Sequence, residues 1–156
     1  MRLRIVAVGR LGRGPESELT ELYRKRLDAM ARSARIGPLE IVEVEDRSGR
    51  GAEAEGALLL GAAKSERLVA LDERGATLDS KGLAETLGRW RDQGAAGVAF
   101  AIGGADGHAK AVREAADLTL SFGALTWPHA LARAMLAEQL YRAATILTGH
   151  PYHREG

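Results

Sequence analysis

The chain has 156 residues, with 22 Lys+Arg against 21 Asp+Glu, a formal charge of +1 and no cysteine. At 46% hydrophobic and 28% charged, its composition is that of one folded domain of ordinary size and excludes wholesale disorder. The missing cysteines exclude a disulfide framework, a thiolate zinc site and a cysteine nucleophile. The near-neutral balance argues against a bulk cationic nucleic-acid binder, although 18 of the basic residues are arginine, the better ligand for phosphates and bases. Residues 5–8 are too short for a signal-peptide core, and no apolar run approaches the ~18 residues of a membrane span. The expectation is a cytoplasmic chain.

Residues 3–8 predict a first strand, closed by the glycine-rich turn 9–14. Pro15 suits the first turn of a helix, and Leu19, Leu22, Tyr23, Leu27 and Met30 follow at helical spacing. Pro38 resets the chain before a second strand at 39–44. The polar, glycine-rich stretch 46–56 reads as a mobile loop entering a weak helix over 58–63. Residues 67–71 read as a third strand that ends at the DERG stretch, 72–75. Asp79 or Ser80 then caps a helix through Leu83, Leu87 and Trp90 that stops near Gly94.

Residues 97–102 (GVAFAI) are apolar throughout, which places this fourth strand in the middle of a sheet. A Gly103-Gly104 turn, a short helix over 110–116, a fifth strand over 117–122 and a loop over 123–127 follow. Pro128 opens the longest helical stretch, with Leu136, Leu140, Ala143, Ala144 and Leu147 on one stripe, and Gly149 ends it. Gly56, Gly61, Gly82 and Gly88 are each expected to weaken their helices by up to about 1 kcal/mol if interior and exposed. No repeat or linker divides residues 1–156. Strands alternating with helices imply a single α/β domain, its parallel-rich sheet covered by helices on both faces.

In an open parallel sheet, ligands sit at the carboxyl ends of the strands. Three such ends suit close approach of a ligand: 71–72, the Gly103-Gly104 pair and 123–127. The glycine pair alone is as well read as a tight turn. The turn 9–14 lacks GxGxxG spacing, and no acidic residue ends the second strand in a clean position, so a dinucleotide site is weakly supported. The C-terminal stretch gathers His129, His150 and His153 with Arg133, Arg142, Arg154, Tyr141 and Tyr152. His153-Arg154 beside Tyr152 joins a group that titrates near neutrality, a guanidinium and a stacking ring, a set that suits a nucleotide. The bland alternative is a polar surface tail. His129, at the start of the long helix, reads as a structural or capping residue. The histidines show no HxH or HxxxH pair, so no metal is expected, and there is no P-loop or GxSxG elbow.

Taken together, IGGADG, LTLSFGALTWPH, LAEQLYRA and HPYHRE, in this order and spacing along the whole chain, resemble the bacterial ribosomal large-subunit pseudouridine N3-methyltransferases. These are small members of the SPOUT class of S-adenosylmethionine enzymes. The resemblance implies an α/β fold with a C-terminal trefoil knot, and transfer of a methyl group to N3 of a pseudouridine in 23S rRNA on the assembled ribosome. It implies a homodimer. Carried onto this sequence, the cofactor positions are Leu71, Gly104, Phe122, Gly123, Ala124, Leu125, Thr126 and Trp127. His153 becomes the candidate general base or orienting group and Arg154 the group that stabilises developing charge or clamps a phosphate, while Arg142 and Tyr152 are candidates for RNA contact. Relatives often carry Ser where this chain has Gly123, and many have Pro-Glu where it has Ala105-Asp106. A non-catalytic ribosome-binding factor and a nicotinamide-dependent oxidoreductase are the rival readings.

Overall fold

The computed structural model describes residues 1–64 and 66–154. Ten elements alternate along the chain: β1 (Arg2–Val8), α1 (Pro15–Ala34), β2 (Leu39–Val44), α2 (Ala52–Ala63), β3 (Arg67–Thr77), α3 (Ser80–Asp92), β4 (Gly97–Ile102), α4 (Lys110–Ala115), β5 (Leu118–Ser121) and α5 (His129–Thr148). The strands form one sheet in the order β2-β1-β4-β3-β5, and every pairing is parallel. The all-apolar strand β4 is its middle strand and is buried along its whole length, as its composition demands.

Period-two alternation assigns each strand residue to a face. Leu3, Ile5 and Ala7 of β1, with Val98, Phe100 and Ile102 of β4, join the larger core, which takes in Leu27 of α1, Leu87 of α3, and Leu136 and Leu140 of α5. Val6, Ala99 and Ala101 face the other way and pack with Leu59 of α2 and Val112 of α4. Helices therefore cover both faces. Arg4 breaks the apolar pattern of β1: it is 2% exposed, and its guanidinium bonds Glu40 at 2.9 Å and Glu66 at 3.0 Å.

Two expectations need correction. Residues 46–56 are not one loop, because α2 begins at Ala52. Asp46 braces the approach, its carboxylate accepting from Ser48 N (2.9 Å) and Arg50 N (3.0 Å), and Glu53 and Glu55 place negative charge in the first helical turn. The third strand also does not end at Leu71. It leaves the ladder after Leu71 and rejoins β5 at Ala76, so that Leu120 opposes both. Gly75 makes this excursion possible, since a Cβ there would stand 2.6 Å from the backbone of Thr119.

Candidate active site

The carboxyl ends of β3, β4 and β5 enclose a cleft of about 450 Å³ with the first turn of α5, a volume in the range of small-molecule sites. The β3 excursion forms one wall with Leu71, Asp72, Glu73 and Arg74. The turn after β4, residues 103–108, forms the second, and residues 122–127 form the third. Seven of the eight expected cofactor positions line this one cleft: Leu71, Gly104, Phe122, Gly123, Leu125, Thr126 and Trp127. Ala124 lies exposed on the same loop and is not part of the lining.

Hydrogen bonds within the walls hold them in place. Ser121 Oγ accepts from Gly123 N at 3.0 Å and lies 3.1 Å from the Glu73 carbonyl, so it ties the end of β5 to the β3 excursion. The Trp127 indole N–H donates to Phe122 O at 3.3 Å and folds the 122–127 loop back on itself. Gly103 packs so closely that a Cβ would lie 3.1 Å from the Gly107 backbone. The turn thus presents main chain to the cleft where a larger residue would present a side chain.

Two titratable groups on the cleft have shifted equilibria. Asp72, 6% exposed at its side chain, accepts from Arg74 Nε, Nη2 and backbone N at 3.1, 3.0 and 2.9 Å. Those bonds hold its carboxyl below the usual carboxylate range against the opposing effect of burial. His108 is 5% exposed, and burial pushes its pKa below the ordinary 6.5. Its Nε2 lies 3.1 Å from Ala101 O, an atom that only accepts, so the neutral ring carries its proton on Nε2. The sequence marks Asp72 only as part of the 71–72 strand end and does not single out His108. The signals are there, in an acid directly after a strand and a histidine inside a glycine turn, but both patterns are too common to be specific.

The tail residues form a separate cluster. Glu138 Oε1 accepts from Arg142 Nε at 3.0 Å, Arg142 Nη2 at 2.6 Å and the Tyr152 hydroxyl at 2.9 Å. Arg142 lies over the Tyr152 ring, 4.9 Å from its centroid, and its Nη1 is 3.3 Å from His153 Nδ1. The Tyr152 ring also packs on Tyr141, at 4.7 Å between centroids. Arg154 is exposed. Arg142 stands ten residues beyond Ala132, where the cleft ends, and so about 15 Å further along the axis of α5. Arg142, Tyr152 and His153 thus come together with one another but not with the cofactor positions of the same chain.

A second, larger and more apolar groove of about 650 Å³ runs between α1, the β3–α3 connection and α5, past Leu19, Tyr23, Leu78, Leu131 and Met135. It shares Leu120, Phe122 and Gly123 with the strand-end cleft and passes Thr77 at the end of β3. The place of the first cleft at the carboxyl ends of three parallel strands, beside the Gly103-Gly104 turn, marks it as the better ligand site. Among the described residues no group of three His, Cys, Asp or Glu side chains could hold a metal ion, and no helix is long and apolar enough to cross a membrane.

Residues 1–153 match the family described as predicted SPOUT methyltransferase. A protein of Cereibacter sphaeroides named ribosomal RNA large subunit methyltransferase H is 56% identical over 155 residues, covering 99% of each chain. One of the same name from Rhodopseudomonas palustris is 51% identical over 159 residues, again covering 99% of each. Among solved structures, the SpoU methyltransferase AviRb of Streptomyces viridochromogenes, in complex with AdoMet, aligns with a TM-score of 0.42 and 16% identity. That alignment covers 91% of this chain and 59% of the other.

Proposed function

The chain belongs to the SPOUT methyltransferase family, and from that premise we propose that it methylates N3 of a pseudouridine in 23S rRNA, on the assembled ribosome, with S-adenosylmethionine as donor. The observation that carries this reading is the meeting of the three strand-end segments in one cleft, in a chain about half identical, over its full length, to proteins named ribosomal RNA large subunit methyltransferase H. A cytoplasmic location follows from such a substrate.

The residues present fit the cofactor. A volume of about 450 Å³ suits it, and the closely packed Gly103-Gly104 turn offers main-chain hydrogen-bonding groups. S-adenosylmethionine supplies a methyl group already activated by its sulfonium. Leu71, Gly104 and the 122–127 loop would hold it, so the protein's main task is alignment, which is worth several kcal/mol. The C-terminal trefoil knot belongs to the same reading. It is supported by the convergence of the loops after β4 and β5 with the start of α5.

His153 keeps its proposed place as an orienting group and Arg154 as charge stabiliser, and Arg142 and Tyr152 theirs toward RNA. Within one chain these groups stand along α5 from the cleft. That separation makes a homodimer part of the proposal, since a second copy can bring a tail to a cleft the first cannot reach. The apolar groove supports it, with Leu19 42% and Leu22 41% exposed on the same helix.

The test is incubation with methyl-labelled S-adenosylmethionine and ribosomes that lack the modification, followed by nuclease digestion and mass spectrometry. Label on a pseudouridine of the large-subunit RNA is expected. No label, with no cofactor bound in a parallel titration, overturns the reading in favour of a non-catalytic ribosome-binding factor. Sedimentation equilibrium tests the dimer.

A further inference from the structure

We propose that His129 is a catalytic residue of this site, the imidazole that accepts the proton leaving the target nitrogen. The inference rests on the methyltransferase reading above and names a group that reading leaves out. From sequence His129 reads as a structural or capping residue, but the structure gives it neither role. The N-cap of α5 is Pro128, and no side chain caps the helix. His129 is exposed, makes no hydrogen bond or ion pair with any described residue, and lies on the lining of the cleft two residues past the wall formed by 122–127.

The other groups on the cleft are less suited to take a proton. His108 spends Nε2 on Ala101 O, and burial disfavours the protonated form of its ring. Asp72 is held ionised by Arg74. Glu73 and Asp106 are carboxylates, and a carboxylate is ordinarily a weaker base than an imidazole by about two pKa units. Arg74 has no basic atom to offer. An imidazole changes charge in the range where the cell works, and His129 presents one that is free and on the cleft without help from a second chain. His153, by contrast, has Nδ1 beside Arg142 in the tail cluster.

Atoms and electrons balance in this step. The N3–H bond of the pseudouridine breaks and its proton passes to a ring nitrogen of His129. The electron pair left on N3 forms the new N–CH3 bond. The electrons of the methyl–sulfur bond return to sulfur, which leaves as a neutral thioether, and the imidazolium then loses its proton to water.

The test uses the full-length protein and His129→Gln, a change at an exposed residue with no hydrogen bond, which should leave the thermal midpoint unaltered. By NMR, addition of S-adenosylhomocysteine should shift the ring signals that are missing from the His129→Gln spectrum; unmoved signals overturn the inference. By calorimetry the variant should bind S-adenosylmethionine with unchanged affinity. In single-turnover methyl transfer to unmodified ribosomes it should be slower by about 10²–10⁴-fold and should lose the acid limb of the pH–rate profile. A normal rate, a retained acid limb or a collapse of cofactor binding each overturns the assignment. If His153→Gln abolishes the acid limb and His129→Gln does not, the tail is the acceptor and the inference falls. Should the wild-type protein itself transfer no methyl, the methyltransferase reading fails and takes this inference with it.

Discussion

The Tyr152 hydroxyl donates to Glu138 Oε1 at 2.9 Å, back across 14 residues of chain. Gly149, in the left-handed conformation with φ 69°, ends α5, and Pro151 cannot extend it, so the chain reverses and lays Tyr152 on the helix it has just left. Burial, together with the bond to Glu138, raises the phenol's pKa above its ordinary value, and the hydroxyl stays a donor at any working pH. Tyr152→Phe should keep the ring packing but lose this bond, costing about 1 kcal/mol and lowering Tm by about 2–4 °C. Glu138→Gln should loosen the tail further, because the Arg142 bonds lose their charge assistance. Faster trimming of the C-terminus by carboxypeptidase in both variants, with Glu138→Gln the faster, is the outcome to look for.

His108 should make stability fall as the solution turns mildly acidic. Its folded pKa is depressed by burial from the ordinary 6.5, so below about that pH the unfolded chain takes up a proton that the folded chain refuses. Stability is intact above 6.5 and declines as pH drops toward the folded value. The carboxylates that are depressed in the fold, among them Asp72 and Glu43, lose their contributions only at lower pH. His108→Leu should therefore flatten the decline in stability that begins below about pH 6.5. Denaturant midpoints at several pH values measure this.

Glycines of similar appearance should respond in opposite directions to alanine. Gly61 lies exposed in α2, and a Cβ there would meet nothing within 4 Å, so Gly61→Ala should stabilise by about 0.5–1 kcal/mol. Gly75→Ala would drive its Cβ to 2.6 Å from Thr119 backbone atoms, which cannot yield without moving β5. A loss of about 3 kcal/mol is expected, together with weakened cofactor binding, because the β3 excursion is a wall of the cleft. Chemical denaturation and calorimetric titration of each variant give both numbers.

Glu43 and Arg133 should be unequal partners. They meet at 2.7 Å, yet the Arg133 side chain is 4% exposed and that of Glu43 is 37%. Arg133 also reaches Gly9 O at 3.2 Å, and Glu43 accepts from Leu11 N at 2.7 Å, so the pair ties α5 to the turn after β1. Glu43→Ala strands a buried cation and should cost about 3–5 kcal/mol, whereas Arg133→Met leaves only a half-exposed carboxylate and should cost clearly less. Equal losses in thermal or denaturant unfolding would contradict this.

Much of the fold was legible because strand and helix obey different periods. The GVAFAI run could only be a middle strand, and it is one. Leu136, Leu140, Ala143 and Ala144 marked the buried stripe of α5, and they are buried. The early start of α2 was hidden because its first turns are polar and hold Gly56. That glycine is buried, and a Cβ on it would stand 3.0 Å from the Ala109 side chain, so packing outweighs propensity there. The strand ends at Leu71, Gly104 and residues 122–127 could be named as ligand ends from sequence, but nothing local showed that β3 leaves and rejoins its ladder to wall the cleft.

Composition and periodicity thus determined, by themselves, an α/β chain with a parallel-rich sheet, and the ordered motifs carried the resemblance to its family, since these properties are local or additive along the chain. The tertiary structure alone decided which polar groups share a space. It paired Arg4 with Glu66 across 62 residues, buried His108 against Ala101, left His129 free on the cleft, and set His153 on the far part of α5 beside Arg142. Such pairings depend on sheet order and on the direction each helix takes across it. A side chain's burial and charge partners come from segments remote in sequence, and no local pattern encodes them.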